Sequence, residues 1–201
     1  MYYSVLRLPN GTELKGGEAG STLKALTLHT AVNAGQEFTI GSAFSDYIEA
    51  EIWADPDGSL QITAGDALTY YRQDDAGNRT KVGVFYAEKP TRTKRNSYKI
   101  TAYDNMSKLD ADFSGWLHAN QAQFPKTIWH LVQLACQRAG VTLASSSLPI
   151  NGSYSVQAFY ADDLTCRQII SWAAEAAGCY AHMNADGKLQ FLTYTDKRST
   201  A

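Results

Sequence analysis

The chain has 201 residues and a formal net charge of −2, with 44% hydrophobic and 19% charged residues. This composition is typical of a globular protein with a sizeable core and excludes a largely disordered chain. The balanced charge does not indicate nucleic-acid binding. No apolar run is long enough to span a membrane. The three cysteines have no CxxC spacing, which argues against a disulfide framework.

The first half of the chain is predicted to form antiparallel strands. A hairpin is expected around Pro9-Asn10-Gly11. Residues 44–53 alternate, with Phe44, Ile48, Ala50 and Ile52 on one face and Tyr47, Glu49, Glu51 and Trp53 on the other. Such alternation predicts a strand with one buried and one exposed face.

Further strands follow at short intervals. The turn-forming residues 55–58 precede a strand that Leu60 and Ile62 are expected to open. A hairpin is predicted next, with strands at 67–72 and 81–88 and a loop at residues 74–78. Residues 97–103 form another strand. The regular spacing of these turns favours a barrel or a sandwich.

The second half is predicted to carry two helices. Residues 127–139 have an apolar stripe, Thr127 as N-cap and Gly140 after the last turn. Residues 165–177 begin with a Thr165–Gln168 capping box and end before Gly178. The predicted stripe of this helix is Ile169, Ile170, Trp172, Ala173 and Ala176.

The remaining segments of the second half are a hairpin and two connections. Residues 179–194 are predicted to form a hairpin that turns at residues 184–187. Residues 111–126 are interpreted as a connecting loop anchored by Trp116 and Phe124, and residues 144–160 as polar and extended. The predicted fold class is therefore α+β.

No metal, cofactor or catalytic residue is predicted. The histidines and cysteines weighed as metal ligands have no recognised spacing; they are His118, His130, Cys136, Cys166, Cys179 and His182. Cys166 falls in the first turn of a helix, where the dipole would lower the pKa of a thiol, but the capping box accounts for this segment without reactivity.

The charged clusters are interpreted as solvated. Asp162 and Asp163 precede the second helix and suit its positive end, and Glu49 and Glu51 share the solvent side of a strand. The one basic run could contact phosphates but joins two strands, so a solvated loop is favoured. This run consists of Lys89, Arg92, Lys94, Arg95 and Lys99.

Four stretches carry a resemblance to a known family. They are, in chain order, IGSAFSDYIEAEIW, LQITAGDALTYY, VGVFYAEKPTRTKRNSYKITAYDNMSKLD and LTCRQIISWAAEAAGCYAHMNADGKLQF. Together they resemble the N-terminal half of the phage tail hub proteins, which are baseplate hubs and tail-associated proteins of phages and prophages. The resemblance covers residues 35–195.

This resemblance implies a fold and a set of partners. The expected architecture is an antiparallel β-barrel-like tube domain over residues 1–112, followed by a small α/β domain with two helices and a hairpin over residues 113–201. Family hubs form trimers whose tube domains build a pseudo-sixfold ring that continues the tail tube. The implied partners are the distal tail protein, the tail tube or tape-measure protein, and a spike or receptor-binding protein.

The resemblance also bears on location and extent. A virion tail protein, assembled in the cytoplasm of the bacterial host, is implied. Family hubs continue into a second tube domain, so this chain is expected to correspond to part of a hub.

A tube protein needs exposed strand faces that pack against other copies. The candidate contact residues are Tyr47, Trp53, Tyr70, Tyr71, Phe85 and Tyr103, for which an ordinary role in covering the strand core stays open. Two other functions compete with the hub. One is a carbohydrate-binding module, and the other is a tail-associated peptidase or cell-wall hydrolase, of which this chain would form a non-catalytic part.

Overall fold

The computed structural model describes residues 2–17, 22–31, 39–53 and 62–194. It confirms a mixed α+β fold with a large antiparallel sheet and few helices. The chain divides into two compact units, and each draws on separate stretches of sequence. The first unit is Met1–Thr30, Ser45–Asn105 and Met183–Gly187, and the second is Ala31–Phe44, Met106–His182 and Lys188–Ala201. The division into domains 1–112 and 113–201 stays a prediction.

The first unit is built on one antiparallel sheet. Its strands are β1 (Tyr2–Arg7), β2 (Glu13–Lys15), β3 (Leu23–His29), β4 (Tyr47–Trp53), β5 (Ala67–Asp74), β6 (Arg79–Ala87), β7 (Thr91–Lys94) and β8 (Ser97–Tyr103). They are ordered β2-β1-β5-β6-β8-β4-β3, with β7 paired to β8. The predicted hairpins β1–β2 and β5–β6 and the predicted strands β4 and β8 are confirmed.

The inner face of this sheet forms one apolar core. Leu6 and Leu14 enter it from one end of the strand order and Leu23 from the other, around Ile48 and Ile100. Because both ends of the strand order share one core, the sheet curls. Within the described residues no ladder joins β2 to β3, so a closed barrel is not confirmed. β2 has only 3 residues and is too short to pair along the 7 residues of β3.

One predicted strand, the one that follows the turn at residues 55–58, is not confirmed. The turn at residues 55–58 and Leu60 lie outside the described residues. Ile62, which the sequence predicts to open a strand with Leu60, is buried but belongs to no strand.

The second half of the chain carries the helices. The elements are α1 (Ser114–Ala119), β9 (Lys126–Thr127), α2 (Ile128–Ala139), β10 (Ser155–Val156), α3 (Cys166–Ala176), β11 (Cys179–Met183) and β12 (Leu189–Thr193). Short 3₁₀ helices span Asn105–Asp110 and Gln121–Gln123. Both predicted helices and the final hairpin are confirmed. The prediction of a plain loop over residues 111–126 is wrong, since this stretch contains α1.

Local capping fixes where the two longer helices begin. The Thr127 hydroxyl accepts from the backbone N–H of His130 at 3.2 Å, and Gly140, with φ of 66°, ends α2. In α3 the predicted capping box is present: Thr165 accepts from the backbone of Gln168, whose side chain accepts from the Thr165 N–H at 2.8 Å. These caps satisfy backbone groups that the first turn leaves free.

The buried stripe of α3 differs in part from the predicted one. Ile169, Ile170 and Ala173 are buried as expected. Trp172 is instead 47% exposed and Ala176 is exposed as well. Ala174 lies in the core because it follows Ile170 by one helical turn.

Polar contacts join the end of α2 to the start of α3 in the second unit. Arg138 in the last turn of α2 donates to the carbonyl of Asp112 at 3.3 Å. Asp112 in turn forms a β-bridge with Thr165, the N-cap of α3. The end of α2 is therefore close to the start of α3.

Arg167 fixes α3 against two other segments of the second unit. Its guanidinium donates to both oxygens of the Asp110 carboxylate, at 2.6 and 2.8 Å. It also donates to the carbonyl of Ala43 at 2.8 Å and to that of Met106 at 3.0 Å. Such a bidentate, charge-assisted arrangement uses the planar geometry of arginine.

Gly41 makes a close approach to α3. Its N–H donates to the carbonyl of Cys179 at 3.0 Å, and its φ is +83°. A Cβ at this position would lie 2.6 Å from the Cβ of Glu175 and 2.9 Å from its backbone N and Cα. Glycine is therefore required both for the left-handed conformation and for space.

We expect Gly41→Ala to destabilise the chain by about 3 kcal/mol, combining left-handed strain of about 1–2 kcal/mol with a steric clash of similar size. Urea unfolding followed by circular dichroism measures the change. Gly140→Ala is the matched control in the same unit, because φ is +66° there but no atom lies within 4 Å of the added Cβ. Equal losses in the two variants would contradict the steric part of this account.

Candidate functional site

The outer face of β4 and its two neighbours brings together half of the candidate contact residues. Ile48, Ala50 and Ile52 point into the core, so Tyr47 and Trp53 lie on the opposite face. Directly paired residues of antiparallel strands share a face. We call the surface formed by His29, Tyr47, Tyr103, Glu49, Glu51, Lys99, Lys24 and Trp53 the β4 outer face.

One end of the β4 outer face is aromatic. The ring of His29 stacks on that of Tyr47, with centroids 4.3 Å apart and an interplanar angle of 8°. On the other side, Tyr47 lies opposite Tyr103, with ring centroids 5.4 Å apart. These rings are half-buried against each other, which leaves part of their area open to a partner.

The middle of the β4 outer face is a network of paired charges. Lys99 Nζ lies 2.6 Å from a Glu49 carboxylate oxygen, and the hydrogen bond from Lys99 lowers the pKa of Glu49 below its usual value. Glu51 accepts from Lys24 Nζ at 2.6 Å and from the hydroxyl of Ser97 at 2.7 Å, and these bonds lower its pKa also. The charges of this region are thus satisfied within the chain.

Trp53 forms the other end of the β4 outer face. It is 45% exposed, and Lys24 Nζ lies 4.4 Å from its ring centroid. This distance is that of a cation–π contact, which orients the ring while leaving much of it accessible.

The six candidate contact residues do not share one location. Tyr47, Trp53 and Tyr103 lie on the β4 outer face, and Tyr71 is half-buried on β5. Tyr70 and Phe85 belong to the apolar core, where they are 4% and 3% exposed. Alternation along β5 and β6 directs both of these rings inward, so they have almost no surface to offer a partner.

The sequence reasoning did not find the contribution of β3. Lys24 and His29 are on this strand, which pairs along β4 from Leu23 to His29. A signal was present, because Leu26 and Leu28 alternate with polar residues and pack against the core. A β-bulge near Lys24 interrupts that alternation.

The basic run surrounds the β7–β8 turn. Lys99 belongs to the β4 outer face, whereas Lys94 and Arg95 are exposed at the turn. The guanidinium of Arg92 donates to the carbonyls of both, which orders the turn. This part of the run therefore serves the hairpin geometry.

The cysteines are buried and weakly acidic. Burial raises the pKa of the Cys136 thiol to about 12 and that of Cys179 to about 11. Burial also raises the pKa of Cys166, and so outweighs its place in the first turn of α3.

Across the described ranges no three His, Cys, Asp or Glu side chains gather into a possible metal site. No helix there has the length and apolar character needed to cross a membrane.

Comparison with known proteins gives a likeness of fold. No protein-family model matches the chain, and no curated protein matches it by sequence. The 43 kDa tail protein of prophage MuSo2 from Shewanella oneidensis matches over 99% of this chain with a TM-score of 0.63 and 14% identity. A tail protein from Neisseria meningitidis MC58 matches over 98% with a TM-score of 0.56 and 13% identity. The chain spans 57% and 56% of the lengths of these two proteins.

Replacing Lys99 by methionine is expected to raise the pKa of Glu49 towards its ordinary value, because the largest lowering cause is the hydrogen bond from Lys99. A carboxylate with a lowered pKa stabilises the fold above its unfolded-state pKa, and this contribution is lost as the pH falls. Carbon NMR of the Glu49 carboxyl during acid titration measures the shift. Lys89→Met is the control, and a Glu49 pKa unchanged by Lys99→Met would refute the assignment.

The three buried thiols are expected to react with a disulfide reagent only after unfolding, since the thiolate is the reactive form and burial disfavours it. Absorbance after addition of the reagent at neutral pH should remain flat for the folded chain and report three thiols in strong denaturant. Rapid modification of Cys166 in the folded chain would show that the helix dipole lowers the pKa of this thiol by more than burial raises it.

Proposed function

We propose that this protein is a structural component of a phage or prophage tail. The observation that carries the proposal is the likeness to two tail proteins over nearly the whole chain, through both units. A likeness confined to one sheet would have had little weight, because functions differ widely within common folds.

The finer form of the proposal is a hub at the tail tip. In this form the chain, as part of a longer protein, forms a homotrimer whose ring continues the tail tube. The distal tail protein lies on one side of the ring and a spike or receptor-binding protein on the other.

The β4 outer face is the proposed contact with a neighbouring copy. Tyrosine and tryptophan are enriched in protein interfaces, whereas charged residues are depleted from interface cores. On the β4 outer face aromatic rings provide the enriched residue types, and the two carboxylates between them are already paired with lysines of the same chain. Copies packing there would not leave Glu49 or Glu51 without a counter-charge.

Light scattering behind a sizing column, with negative-stain images of the peak, tests the proposal. The expected result is a mass of three times the 22.0 kDa of the chain, with ring-shaped particles. A single-copy mass at every concentration, without rings, would count against ring formation by this chain.

Combined substitution of Tyr47 and Tyr103 by serine should weaken the assembly at least tenfold, as expected where central aromatic contacts are removed. Sedimentation velocity over a range of concentrations measures this change. Tyr154→Ser is the control, because Tyr154 is 63% exposed but lies in the second unit. Equal effects of the double and control variants would exclude the β4 outer face as the contact.

A further inference from the structure

The sequence holds two Asn-Gly steps, Asn10-Gly11 and Asn151-Gly152, to which the proposed tail role gives no part. In such a step the backbone nitrogen of the glycine can attack the side-chain carbonyl carbon of the asparagine, because the glycine has no Cβ to obstruct the approach. The attack also requires the main chain to rotate between the asparagine Cα and its carbonyl carbon. The surroundings of each step therefore decide whether it reacts in the folded chain.

Asn10-Gly11 lies in the turn between β1 and β2. Both residues are exposed, and no atom lies within 4 Å of a Cβ built on Gly11, whose φ is +87°. Asn10 Oδ1 accepts from the backbone N–H of Thr12 at 2.9 Å. This bond folds the carboxamide over the following peptide, towards the glycine nitrogen that would attack it.

Two backbone hydrogen bonds close this turn locally. The N–H of Gly11 donates to the carbonyl of Leu8 at 3.0 Å, and the N–H of Leu8 donates to the carbonyl of Thr12 at 2.8 Å. Both bonds join residues 8–12 to one another, beside β2, which is the first strand in the sheet order and has only 3 residues. The turn can therefore open without unpacking the core, as exposed loop tips do.

Asn151-Gly152 is tied instead to two helices. The carboxamide of Asn151 donates from Nδ2 to the carbonyl of Ala176, in the last turn of α3, at 2.7 Å. The carbonyl of Gly152 accepts from the backbone N–H of Trp129, in the first turn of α2, at 3.0 Å. Attack at Asn151 would break both bonds, so it requires a larger opening of the second unit.

We propose that Asn10 is a site of spontaneous deamidation in the folded chain. A bond forms from the Gly11 nitrogen to Asn10 Cγ, the bond from Cγ to Nδ2 breaks, and Nδ2 leaves as ammonia with the proton of the Gly11 N–H. Water then opens the cyclic succinimide. Cleavage between the ring nitrogen and Cγ gives aspartate, and cleavage between the ring nitrogen and the backbone carbonyl carbon gives isoaspartate.

Either product changes the β1–β2 hairpin. A carboxylate replaces a neutral carboxamide, and isoaspartate also lengthens the main chain by a carbon atom. The hairpin places Arg7 opposite Glu13, and Arg79 donates to both carboxylate oxygens of Glu13 at 2.6 and 3.0 Å. A longer turn disturbs that register, because loop length fixes the pairing of a hairpin. This inference does not depend on the proposed tail role.

Peptide mapping by mass spectrometry, after incubation of the whole chain in heavy-oxygen water at mildly alkaline pH, tests the proposal. Label in the new carboxyl group dates the reaction to the incubation. We expect Asn10 to react at least about tenfold faster than Asn151 in the folded chain, which corresponds to an opening cost lower by about 1.4 kcal/mol. In strong denaturant the two rates should converge, because Gly-Thr and Gly-Ser follow the two asparagines.

Two matched variants identify the site. Asn10→Gln should remove the product in the β1–β2 turn, because glutamine would have to close a larger ring. Asn151→Gln should leave the rate at Asn10 unchanged. Circular dichroism verifies that each variant is folded.

The proposal is overturned if Asn151 reacts as fast as Asn10 in the folded chain. It is also overturned if neither asparagine reacts in the folded chain while both react in denaturant, because the turn would then protect Asn10. Failure of the trimer test above would leave this result unaffected.

Discussion

The two-residue period of β4 is the constraint on which the first unit depends. β4 pairs with β3 on one side and β8 on the other, and a shift of one residue would turn every side chain to the opposite face. Ile48, Ala50 and Ile52 are all 2% exposed or less, so such a shift would expose the core and bury two glutamates. The cost of that exchange fixes the register of the neighbouring strands, and therefore which residues form the β4 outer face.

A different kind of constraint positions the second unit. Arg167 joins α3 to the Asp110 carboxylate and to two backbone carbonyls, those of Ala43 and Met106. Lysine has one ammonium group and cannot reproduce this fork. By holding α3 in place, Arg167 also determines where Trp172 and Ile169 lie beside the α2 side chains, with which they line an apolar pocket of about 200 Å³. A polar contact therefore sets the geometry of an apolar site.

The elements that the sequence predicts best are those whose ends are encoded locally. Thr165 and Gln168 specify the start of α3 within one turn, and Gly140 ends α2 where a left-handed residue is needed.

Side-chain burial is harder to predict, because alternation shows which residues share a face but not which face is inside. Tyr70 and Tyr47 occur in similar alternating patterns, yet only Tyr70 enters the core. β3 is hard to predict for a related reason, because a bulge shifts the pattern near Lys24. The hydrophobicity of Trp172 resembles that of its buried neighbours and predicts burial, but the side chain is 47% exposed.

The charges of the β4 outer face are satisfied within the chain, and this determines what a partner can gain there. On the β4 outer face, Glu49 and Glu51 are paired with Lys99 and Lys24 before any partner arrives. A partner there gains little from electrostatics and must be held by aromatic area and shape, which suits stable packing between copies.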